Sequence, residues 1–95
     1  MYKSYIYVRF VHEDKFYIMT SSLLNRITIQ PRLMGGKPTI RGLRFPVSDI
    51  LELLSNGLPE AEILEQHPIL EKQDIAAALL YASMKIKNTV VIHAA

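Results

Sequence analysis

Ninety-five residues form one domain with no room for a second core, and a 49% apolar composition with 21% charged residues is that of a folded protein rather than a disordered one. The chain has no cysteine, which excludes a disulfide framework, a thiolate metal site and a cysteine nucleophile. The net charge of +2 conceals an asymmetry: Met1 to Pro46 carries +6, Val47 to Leu80 carries −6, and Lys85 and Lys87 add +2.

No segment is expected to span a membrane. The longest apolar run, Ile75 to Ala82, falls far short of the roughly 20 residues a helix needs. Tyr5 to Val11 is apolar but interrupted by Arg9, and no small-residue cleavage site follows it, so a signal peptide is not expected.

The first twenty residues read as an N-terminal extension. Tyr5 to Phe10 and Phe16 to Met19 are β-branched and aromatic, and His12-Glu13-Asp14 between them would turn one run into the other as a hairpin. Such a hairpin is marginal alone and needs something to pack on. The polar Thr20-Ser21-Ser22 reads as a linker, which makes Met19 an alternative start for the domain.

From residue 21 to 87 the pattern is that of a single domain. Arg26-Ile27-Thr28-Ile29 alternates and stops at Pro31, predicting a short strand. Gly35 to Val47, the stretch GGKPTIRGLRFPV, concentrates three glycines and two prolines around Lys37, Arg41 and Arg44, with Arg32 upstream. Proline fixes φ and glycine admits positive φ, so a rigid loop or strand pair is expected, with Gly42 in a type II turn. Guanidinium forks on a rigid backbone suit phosphate or carboxylate recognition; a solvated structural connector is the competing reading.

Three helices follow. Ser48 is the expected N-cap of the first, with Asp49 in its first turn, Ile50, Leu51, Leu53 and Leu54 on its inner face, and Gly57 as its stop. The second begins at Pro59, turns Ile63 and Leu64 inward, and ends at His67-Pro68. The third is expected from about Glu71 to Met84 or Lys87, with Ile75, Leu79 and the Ala76–Ala78 run closely packed. The tail, residues 88–95, contains NTVVIH, which reads as extended: a frayed end or a strand for another chain.

The second and third helices have the layout of a helix-turn-helix, whose exposed Lys72 and Gln73 would be the groove-reading residues. Charge opposes that use. Glu60, Glu62, Glu65, Glu71 and Asp74 surround the pair, so any phosphate contact falls to Lys37, Arg41 and Arg44. Catalysis is not expected. His12, His67 and His93 have no metal-ligand spacing, Asp49 and Glu52 read as a solvated face, and Gly35-Gly36-Lys37 lacks the full phosphate-loop pattern.

The stretches RITIQPRLMGGKPTIRGLRFPVSDILELLSNGLPEAEILEQHPIL and EKQDIAAALLYA resemble domain-of-unknown-function family 433, with GGKPTIRG-x-R-x-PV as the specific core. Leu43 departs from the threonine common at that position. The resemblance implies a mainly α fold, a homeodomain-like three-helix bundle preceded by a short β element. It also implies a cytoplasmic, dimeric VapB-like antitoxin that needs no cofactor, silences a PIN-like ribonuclease toxin and binds operator DNA. The runner-up is a stand-alone DNA-binding regulator. The residues carried to partner or nucleic-acid contact are Lys37, Arg41, Arg44, Arg32, Lys72 and Gln73.

Overall fold

In the computed structural model, the backbone is described for residues 21–94 and side chains for residues 21–88. The hairpin expected before residue 19 lies outside the described residues. Ser21 and Ser22 do not form a linker: residues 21–24 are helical, and the Asn25 amide donates to the Ser21 carbonyl at 3.0 Å.

Strand β1, Ile27–Thr28, pairs antiparallel with β2, Thr39–Ile40, in the register Ile27 to Ile40 and Thr28 to Thr39. The chain between them is tightened by a 3-10 turn at Met34–Gly36. After β2 it doubles back, bridging Thr39 to Pro46, with the Ile40 amide donating to the Phe45 carbonyl at 3.0 Å. The expected strand pair pivoting on Gly42 is reduced to this single bridge across a tight turn, and the turn is not type II. Arg41 at φ 45° and Gly42 at φ 70° are both left-handed, the sign pattern of the I′ turn that suits strand twist.

Helix α1, Val47–Ser55, starts one residue before the expected cap. The Val47 amide donates to the Pro38 carbonyl at 2.9 Å, so the last rung of the hairpin satisfies a donor that a cap would otherwise serve. Ser48 sits inside the first turn, and no side chain caps this helix. The end is as expected. Gly57, at φ 88°, donates to Leu54, and Leu58 reaches back to Leu53, which is a Schellman closure.

Helix α2, Glu60–Gln66, follows Pro59, and the His67 amide closes it on the Ile63 carbonyl at 2.9 Å. Helix α3 is Lys72–Ala94. It therefore continues through Asn88 instead of giving way to an extended tail: the β-propensity of NTVVIH is a weak preference, and extending a formed helix is easier than starting one. Among the described residues, no helix is long and apolar enough to cross a membrane.

The first half of α3 is the centre of the fold, packed against α1, α2 and β1. Ile40, Val47, Ile50, Ile63, Leu70, Ile75 and Ala78 form one buried cluster, with Leu51, Leu53, Leu54 and Leu64 partly buried around it. Burying each isoleucine stabilises the fold by roughly 1.5–3 kcal/mol. Leu79 departs from expectation: it is 49% exposed, because the inward face of α3 falls on Ile75 and Ala78. The protein is thus mainly helical, with one short two-stranded antiparallel sheet.

Candidate functional site

The GGKPTIRG stretch divides its cations between two tasks. Arg41 faces inward. Its Nε donates to Asp74 Oδ1 at 3.0 Å, and its Nη2 donates to Asp74 Oδ2 and to the Ile69 carbonyl, both at 2.8 Å. The Arg41 amide is held as well, by the Arg26 carbonyl at 2.7 Å, and the Gly42 amide donates to Thr28 Oγ1 at 2.9 Å. These bonds hold a non-glycine residue in left-handed backbone, a conformation that must be over-determined by its surroundings to persist.

Asp74 is the other half of this latch, with no exposed surface. Besides Arg41 it accepts from Arg26 Nη1 at 2.9 Å and from the Glu71 amide at 2.8 Å, while its own amide donates to the Glu71 carbonyl. The bond from the Glu71 amide is one half of a capping box at the start of α3, and the bond to the Glu71 carbonyl is backbone to backbone. Arg26 Nη1 also donates to Glu71 Oε1 at 2.7 Å. Burial pushes the Asp74 carboxyl up. The hydrogen bonds from Arg41, Glu71 N–H and Arg26 outweigh that push and hold it below its ordinary value. Hydrogen bonds raise both guanidiniums: those to Glu71 and then Asp74 raise Arg26, and those to Asp74 raise Arg41.

Arg41 is therefore not a guanidinium held out for a ligand, as the sequence suggested. Charge composition alone could not distinguish it from its neighbours, because its partner lies 33 residues away. Asp74 and Arg26 were missed as a functional pair for the same reason. The sequence signal for Asp74, an acid in the first turn of a helix, is equally that of a surface residue.

The remaining candidates point out. Arg32, Lys37, Arg44, Lys72 and Gln73 are exposed, and their side chains make no hydrogen bond or ion pair among the described residues. Arg32 and Lys37 flank the 3-10 turn, where Met34, Gly35 and Gly36 all have positive φ and a Cβ on Gly36 would lie 3.9 Å from the Pro31 Cα. Arg44 lies just past the Arg41-Gly42 turn; Lys72 and Gln73 open α3, away from the loop in sequence. His67 packs edge-on against Phe45, with ring centroids 5.1 Å apart. No three His, Asp or Glu side chains among the described residues are grouped to hold a metal.

The uncharacterized protein y4eO of Sinorhizobium fredii (strain NBRC 101917 / NGR234) is 36% identical over 56 residues, which is 59% of this chain but only 25% of that protein. A crystal structure of a DUF433 member protein from Anabaena variabilis ATCC 29413 superposes with a TM-score of 0.63 at 28% identity, covering 88% of this chain and 83% of that one. The family described as "Protein of unknown function (DUF433)" matches residues 27–82, more than half the chain and both sides of the Arg41–Asp74 latch. The chain belongs to the DUF433 family.

Proposed function

We propose that this protein is a cytoplasmic antitoxin of a type II toxin–antitoxin pair, which neutralises a PIN-like ribonuclease and, as a dimer, binds its own operator. The observation that carries this reading is the set of exposed cations Arg32, Lys37 and Arg44, unpartnered among the described residues, on a loop anchored by ion pairs to the buried Asp74. PIN-type nucleases gather carboxylates around a divalent cation, and Lys37 and Arg44 have the charge to enter such a cleft and exclude metal or RNA. The same cations suit operator phosphates, while exposed Asp49, Glu52, Glu62 and Glu65 on α1 and α2 repel them. DNA would thus approach on the loop side.

A stand-alone regulator is the second reading. It is supported by the order of α2, turn and α3, a layout that a helix-turn-helix requires and other helical bundles share, and by the exposure of Lys72 and Gln73 at the start of α3. One variant separates the two. Lys37→Glu with Arg44→Glu leaves Arg41 in place and shifts stability by no more than about 0.5 kcal/mol, since both are exposed. With the neighbouring nuclease, this pair should lose neutralisation; with operator duplex, binding should weaken and its salt dependence flatten. Loss of DNA binding with no effect of either protein on the nuclease selects the regulator. Intact neutralisation and intact DNA binding together sink both readings.

A further inference from the structure

Helix α3 turns a second stripe toward solvent. Ala76, Leu79, Ser83 and Ile86 are exposed, Leu79 by 49% and Ile86 by 61%, on the side of the helix opposite buried Asp74, Ala77 and Ala78. Helix α1 follows the ordinary rule instead: its exposed residues Ser48, Asp49, Glu52 and Ser55 are all polar. The α3 residues follow one another at steps of 3, 4 and 3, which is the repeat of a coiled-coil seam. At about 1.5 Å per residue the stripe is roughly 15 Å long.

We infer that this stripe is the seam at which two copies of the chain pair, with their α3 helices antiparallel. Small and large side chains alternate along it, and the order makes the stripe its own complement. About a two-fold axis, Ala76 of one copy meets Ile86 of the other and Leu79 meets Ser83, so each large residue faces a small one. A parallel pairing would set Ala76 against Ala76 and Ile86 against Ile86, leaving a gap at one level and crowding at another. Antiparallel helices also bring opposite dipole ends together. The inference gives the dimer of the proposed antitoxin a two-fold axis and rests on that reading only for its biological use. Its test needs neither nuclease nor operator, so the two fail separately.

The absence of cysteine gives a direct test on the full chain. Ala76→Cys and Ile86→Cys, one carrying a tag that separates them by size, are mixed and oxidised. The mixed 76–86 disulfide should dominate, because an antiparallel seam holds like thiols roughly 15 Å apart, beyond the reach of a disulfide. Dominant 76–76 and 86–86 species would mean a parallel pairing and overturn the inference. In sedimentation equilibrium the wild type should dimerise with concentration, and Leu79→Lys should weaken the dimer by about tenfold or more. Melted where both are monomeric, this variant should keep the wild-type midpoint, since the exposed side chain contributes little within one copy. A wild type that stays monomeric at every concentration, or a dimer indifferent to Leu79→Lys, overturns the inference.

Discussion

The start of α3 and its stretch from Ser83 to Asn88 do different work. At the first end Asp74, Ile75, Ala77 and Ala78 have no exposed surface, and two guanidiniums pin the carboxylate. From Ser83 to Asn88 every residue is exposed, including Met84 and Ile86. Small residues at one end let α1, α2 and β1 approach closely, while larger apolar ones at the other are left facing water. The helix thus serves as the core of the domain at its start and as a surface beyond it.

The largest expected break in this contrast is Asp74→Ala. It strands Arg41 and Arg26 without their shared acceptor and leaves the Glu71 amide unpaired, at a cost of about 3–5 kcal/mol in chemical denaturation. A loss under 1 kcal/mol would mean that the latch is ornamental.

Acid should withdraw the same contribution without mutation. The Asp74 carboxyl is held below its ordinary value of 3.8, so its stabilisation is complete above that pH and disappears as pH falls through the lower folded value. Acid unfolding of wild type should therefore be steep below about pH 4 and shallower in Asp74→Asn, which keeps an amide acceptor but has no proton to gain. Equal slopes in the two proteins would remove Asp74 from the account of acid stability.

The smallest effects come from a matched pair on α3. Ala78→Leu forces added volume into a site with no exposure and should cost about 1–3 kcal/mol. Ile86→Ala, at 61% exposed, should stay within about 0.5 kcal/mol. Thermal melts of both variants decide it, and similar shifts would erase the difference between the two ends.

Much of the helical framework could be read from local chemistry. Pro59, Gly57 and Pro68 mark boundaries by their own backbone restrictions, and those boundaries stand within a residue or so. Ser48 misled because the donor it would have capped is taken by Pro38, a partner brought in by the hairpin. Leu79 misled because the apolar run around it has no helical gap to show which face turns inward. The candidate site was legible as a charged, rigid loop and illegible in its division of labour. Exposed Lys37 and Arg44 differ from Arg41 only through an aspartate that folding delivers from far along the chain.

The Arg26–Asp74 ion pair also bears on where this domain can be cut. The family match begins at residue 27, just after the arginine that bonds both Asp74 and Glu71. A fragment trimmed to residues 27–82 would retain the core isoleucines and lose one of the two cations that neutralise a buried carboxylate. A fragment made for crystallisation or fusion that keeps this ion pair therefore begins no later than Arg26, and one that begins at residue 21 also keeps the helical turn that leads into it.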